Sequence, residues 1–106
     1  MVRNVKLVVA YDGTDYKGWQ VQPNGPTVQG TLEEVLQTIT QERVRVVGSG
    51  RTDAGAHALA QVAHFRTASR LDTETIFRAL NGLLPPDIRV NEVSDVPLSF
   101  HARYSV

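Results

Sequence analysis

The 106-residue chain contains no cysteine, which excludes a disulfide framework, a thiolate metal site and a cysteine nucleophile. No apolar run approaches the length of a membrane span, and the apolar stretch from Met1 to Ala10 is too short for a signal peptide. A cytoplasmic chain is therefore expected. Net charge is lacking as well. Eleven Lys and Arg balance eleven Asp and Glu, so bulk electrostatics give no argument for a nucleic-acid partner. Nine of the eleven cations are arginine, the side chain suited to bidentate contacts with phosphate and carboxylate. With 42% hydrophobic and 21% charged residues, the length fits one domain with a hydrophobic core and excludes a disordered chain.

Val5, Leu7 and Val9 alternate with Lys6 and Val8, so Asn4 to Tyr11 reads as a strand buried on at least one face. Asp12 to Pro26 is rich in glycine and proline and reads as a loop, with Trp19 in its middle. Val28, Leu32, Val35, Leu36 and Ile39 then mark one face of a helix that Thr27 can cap, with Thr31 and Glu34 as a second capping candidate. Arg43-Val44-Arg45-Val46 alternates into Gly48-Ser49-Gly50, which predicts a strand entering a glycine-rich turn. Ala58 to Arg66 predicts another strand. Asp72 caps a second helix with Ile76, Leu80, Leu83 and Leu84 on its inner face, Pro85-Pro86 stops it, and Ile88 to Val93 predicts the last strand. The order is βαββαβ, an α+β ferredoxin-like arrangement with an antiparallel sheet, two helices on one face and the other face bare.

Several familiar chemistries fail on inspection. Gly50 and Gly55 have the glycine spacing of a phosphate-binding P-loop, but Ala56 and His57 stand where lysine and a hydroxyl are required. Asp12-Gly13-Thr14 follows the first strand as in phosphohydrolases, yet Ala10 occupies the position of the nucleophile. His57, His64 and His101 lack metal-ligand spacing, so no metal is assigned. The central strands also lack the aromatic run with which an RNA-recognition motif stacks bases.

What remains is Gly48-Ser49-Gly50-Arg51-Thr52-Asp53-Ala54-Gly55-Ala56-His57-Ala58, between two strands. Its three glycines allow positive φ and close approach of the backbone to a ligand. Arg51 and Asp53 are two apart, so in an extended segment they leave the same side and can pair. An ionised carboxylate held in a cleft can act as nucleophile or general base. On spacing alone, a connection in which Asp53 merely caps its own turn and Arg51 neutralises it is the favoured reading, and catalysis needs more than this spacing.

At these residues the chain resembles the tRNA pseudouridine synthase A family, through GSGRTDAGAHA. The likeness extends in order through YDGTDYKGWQVQPN, TVQGTLEE, ALNGLLPPDIRV and FHARYS, which covers essentially the whole chain. It implies that Asp53 is the catalytic aspartate and that Arg51 pairs with it and contacts RNA. The implied reaction detaches uracil from C1′ of its ribose, turns it and rejoins it through C5, without metal or organic cofactor. Asp53 would either attack C1′ or take the C2′ proton. The target uridine must leave its stack, and Arg51 is the expected residue to fill the gap. Thr52, His57 and Gln20 are expected to contact RNA or support the loop; Gln22 reads as an RNA contact or as solvated. Tyr11, Asp12 and Trp19 either line the RNA path or pack, packing being the favoured reading, and Asn81 is expected to be a surface or capping residue.

The resemblance further implies tRNA anticodon stem-loops as substrate, a homodimer, and no membrane association. Two departures stand out. Ala56 occupies a position where the family commonly has a β-branched residue, and family members are more than twice as long. Residues 1–106 are thus expected to be the N-terminal, catalytic-aspartate domain, inactive or nearly so alone, with an absent C-terminal domain completing the cleft. The rival expectation is a non-catalytic ferredoxin-like module that binds RNA or a small ligand and self-associates. A catalytic role requires Arg51 and Asp53 to lie on an open surface.

Overall fold

A computed structural model describes residues 1–104; Ser105, within the FHARYS segment, lies outside the described residues. The elements are β1 (Arg3–Tyr11), α1 (Val28–Thr40), β2 (Val47–Gly48), β3 (Ala58–Thr67), α2 (Thr73–Leu83) and β4 (Ile88–Val96). They form one sheet in the order β2-β3-β1-β4, with every pair antiparallel. This is the expected ferredoxin-like arrangement.

Alternation along β1 sends Val5, Leu7 and Val9 into the core, where they meet Val28, Leu32 and Leu36 of α1 and Ile76 and Leu80 of α2. Thr27 caps α1 as expected, its hydroxyl accepting the Gly30 N–H at 3.1 Å. Asp72 does the same for α2 by accepting the Thr75 N–H at 2.8 Å. Leu83 departs from expectation and is 56% exposed. The chain turns to an extended conformation at Leu84, which carries that side chain into the core in place of Leu83.

The strand expected over Arg43 to Val46 is also corrected. Val44 and Val46 are buried and the arginines face outward, but only Val47 and Gly48 pair with β3. The backbone of Val46 is satisfied instead by α1: its N–H donates to Glu33 Oε2 at 2.8 Å, and its carbonyl accepts from Gln29 Nε2 at 2.8 Å. Side chains of the helix thus replace a strand neighbour.

The face opposite the helices is bare only in part. Asn4 and His64 project onto it, and the segment after β4 folds back over them. Asn4 Nδ2 donates to the carbonyls of Pro97 (3.1 Å) and Phe100 (3.0 Å), and Arg66 Nη2 donates to Leu98 O at 3.2 Å.

Bulges interrupt β1 near its end, between Val8 and Val9 against β4 and between Val9 and Tyr11 against β3. Beyond them Tyr11 lies opposite both Ala58 and Ile88. The end of β1 and the starts of β3 and β4 therefore converge on one rim of the sheet, together with the loops that carry the candidate site.

Candidate active site

The loop between β2 and β3 is held at several points. Ser49 N–H donates to Val62 O at 2.7 Å, and Gln61 Nε2 donates to Gly50 O at 2.5 Å. The Thr52 carbonyl accepts the Trp19 N–H at 3.2 Å, while the Thr52 and Tyr11 hydroxyls are 2.8 Å apart. Ala56 N–H donates to Asp53 O at 3.0 Å and closes a tight turn whose third residue, Gly55, has φ 80°. That is the position where a type II turn calls for glycine.

The main chain closes this turn, so the Asp53 side chain does not cap it. Arg51 and Asp53 are both exposed, on the open surface that catalysis requires. The pairing of the two expected from their spacing is not formed: no ion pair among the described residues joins them. The turn bends the backbone at Asp53, and the same-side rule for residues two apart holds only for extended chain. Positive φ is likewise confined to Gly55 among the three signature glycines. Gly48 serves another purpose, since the Trp19 ring lies directly on its backbone.

The loop over residues 12–26 forms the bed for this turn. Trp19 and Tyr11 are 2% and 4% exposed and their ring centroids are 6.1 Å apart, which bears out packing for both. Asp12 is instead exposed, and its carboxylate accepts from the Thr14 N–H at 3.0 Å and hydroxyl at 2.5 Å. These hydrogen bonds, the hydroxyl first, hold its pKa below the usual carboxylate range. Gln22 braces its own loop by donating to Lys17 O.

His57 links the two loops. Its Nδ1 lies 3.0 Å from Gly13 N and 3.2 Å from Asp12 Oδ1. One ring nitrogen cannot accept the amide proton and donate to the carboxylate at once. The amide contact belongs to a ring whose Nδ1 is unprotonated, and the carboxylate contact to one that carries a proton on Nδ1. Both serve the same end, tying the start of β3 to the end of β1.

Two contributors were not singled out in the sequence. Tyr16 accepts the Gly55 N–H at its carbonyl (3.1 Å) and donates its hydroxyl to Asp87 Oδ1 at 2.7 Å. Burial and the Asp87 carboxylate push its phenol pKa up. Gly13 presses against Ala56, where a Cβ would fall 1.8 Å from the carbonyl oxygen; a glycine two residues past the end of a strand was the available signal. Asn81, expected at the surface or as a cap, is a clamp between α2 and β4: it donates to Val90 O at 2.8 Å and accepts from Val90 N–H at 2.9 Å. Of the remaining candidates, Gln20 is exposed beside Arg51 in a shared pocket.

Chemically, the arrangement presents a carboxylate with free acceptor capacity on a rigid, solvent-facing turn. Such a group can attack an electrophilic carbon or accept a proton. Among the described residues no group of three or more His, Asp or Glu side chains is placed to hold a metal ion. No helix among them is long and apolar enough to cross a membrane.

Comparison with known proteins gives consistent matches. A family profile described as tRNA pseudouridine synthase matches residues 7–105. The chain is 51% identical over 104 residues to tRNA pseudouridine synthase A of Caldicellulosiruptor bescii, covering 98% of this chain and 43% of that protein. It is 52% identical over 102 residues to the protein of the same name from Geotalea daltonii (96% and 42% covered) and 54% identical over 105 residues to that of Chlorobium luteolum (98% and 42%). The chain spans less than half the length of these relatives.

Proposed function

The chain belongs to the tRNA pseudouridine synthase family, and from that membership we propose that it supplies the catalytic-aspartate domain of an enzyme that isomerises uridine to pseudouridine in tRNA. Asp53 is the catalytic carboxylate. The C1′–N1 bond breaks, the base turns, C1′ bonds to C5, the C5 proton is lost and N1 takes up a proton, so that substrate and product are isomers. The carboxylate serves either route into this sequence, by attack on C1′ or by removal of the C2′ proton.

The observation that carries the reading is the state of Asp53. Its turn is closed entirely by main-chain atoms and is supported by Tyr16, Trp19 and His57, and its carboxylate is left exposed with no partner among the described residues. A carboxylate with only a structural role would be bonded to its own turn. Thr52 and His57 act as supports through the contacts described, and Arg51 enters the gap left by the displaced uridine.

The substrate is the anticodon stem-loop, and a C-terminal domain completes the cleft in a dimeric, cytoplasmic enzyme. A closed, water-poor cleft strengthens the electrostatics of the carboxylate, so residues 1–106 alone turn over little or no substrate.

The test is tritium release from tRNA labelled at uridine C5, using the complete enzyme. Asp53→Asn lowers turnover by on the order of 10⁴-fold or more with tRNA affinity near that of the parent, because the carboxylate performs chemistry and does not contact phosphate. Turnover by this variant close to the parent rate refutes the assignment.

A further inference from the structure

A pocket of about 280 Å³ opens beside the candidate site, lined by the segment entering β2, the signature loop and the chain after β4. Arg45, Arg51 and Arg103 line it, one from each segment, with Trp19 and Gly48 also in its wall and no Asp or Glu among the described residues that line it. Arg45 faces outward because Val44 and Val46 on either side of it are buried and Val46 is clamped to α1 by Glu33 and Gln29. None of the three guanidinium groups forms an ion pair or hydrogen bond among the described residues.

Several acidic side chains are engaged elsewhere. Asp95 pairs with Arg3, Glu92 with Lys6 and Glu74 with Arg78, Glu33 and Glu42 accept backbone N–H groups, and Asp87 accepts from Tyr16. The zero net charge of the chain therefore conceals an uneven distribution, in which three arginines gather at one pocket.

Three arginines lining one small polar pocket suit an anion with several oxygens, and guanidinium recognises phosphate bidentately. We propose that this pocket seats a backbone phosphate of the RNA strand bearing the target nucleotide, with Arg45 and Arg103 as phosphate ligands beside Arg51. The proposal rests on the reading of Asp53 as the catalytic carboxylate, because it places the anchored strand next to that turn. The recognised chemistry is a phosphate group, which could come from the RNA backbone or from free phosphate.

Binding of tRNA to the complete enzyme across a salt series tests it, with Arg45→Gln, Arg103→Gln and Arg45→Lys compared with the parent. Each glutamine variant weakens binding roughly tenfold, the loss of one charged hydrogen-bonding contact. Each also flattens the slope of log affinity against log salt by about 0.7 to 0.9. Arg45→Lys keeps the parent slope, since it retains the charge. Thermal unfolding of all three matches the parent, which separates lost contact from lost fold.

The two phosphate sources are separated by the Arg45 and Arg103 side-chain NMR signals. A single-stranded oligoribonucleotide shifts both at lower concentration than inorganic phosphate does; a response to inorganic phosphate alone overturns the proposal. Parent affinity and slope in both glutamine variants, with Asp53→Asn inactive, overturn the phosphate seat and leave the Asp53 assignment standing. An active Asp53→Asn overturns the assignment on which the seat rests.

Discussion

Gly48→Ala would place a methyl carbon 2.6 Å from Cε2 and Nε1 of Trp19 and 2.8 Å from Cζ2. Carbon atoms in contact prefer roughly 3.5 to 4.0 Å, so ring and backbone must separate by about 1 Å. The ring has little freedom to move. It is 2% exposed and tilted against Tyr11, and its main-chain N–H is bonded to Thr52 O. Overpacking of this kind costs about 1 to 3 kcal/mol. For a domain of this size each kcal/mol shifts the melting midpoint by about 4 to 8 °C, so a fall of at least about 4 °C is expected.

The strain bears on function because Trp19 holds Thr52, the residue before Asp53. Thermal unfolding followed by far-UV circular dichroism measures the loss, and fluorescence of Trp19, the only tryptophan in the chain, reports the displaced ring. Trp19→Phe removes the ring edge that the new methyl meets. Although destabilising alone, it makes Gly48→Ala less costly in the double variant, with a coupling of about 1 kcal/mol or more. A Gly48→Ala protein that melts within about 1 °C of the parent with unchanged fluorescence, or strictly additive effects, refutes the reasoning.

Two further outcomes follow from contacts away from the loop. His64 is 4% exposed, with Nδ1 2.9 Å from Asn4 Oδ1 and Nε2 buried with no hydrogen-bond partner among the described residues. Burial first, then His101 and Arg66, lowers its pKa from 6.5. The unfolded chain therefore binds a proton that the folded chain resists: stability is full above about pH 6.5 and declines as the pH falls below it, down to the folded pKa. Urea midpoints measured across that range check this, and His64→Gln flattens the profile. Asn81→Ala removes both bonds to Val90, whose backbone groups are then left buried, and lowers stability by about 2 kcal/mol. An unchanged urea midpoint speaks against the clamp.

Much of the framework was legible because it depends on local pattern. The stripe through Val28, Leu32 and Leu36, the caps at Thr27 and Asp72, and the alternation through Val5, Leu7 and Val9 each follow from short-range periodicity or backbone satisfaction. The misreadings had non-local causes. Arg43 to Val46 alternates like a strand, but the partner of its backbone is a pair of α1 side chains that no neighbouring residue announces. Leu83 fits a helical face and is exposed because the helix ends there.

The candidate site divides along the same line. The string from Gly48 to Ala58, read by itself, determined the chemistry on offer: an aspartate, an arginine and a glycine at a turn position, in an order that matches a known family. Its spacing could not determine whether Arg51 and Asp53 meet, because that depends on how the backbone turns between them. Tertiary structure decided that they do not, and that Tyr16, Trp19 and Gly13, from a loop distant in sequence, support the turn instead. It also decided where the balanced charges lie. A composition counts cations and carboxylates without their positions, whereas the fold pairs several carboxylates elsewhere and brings three arginines from separate segments to one pocket.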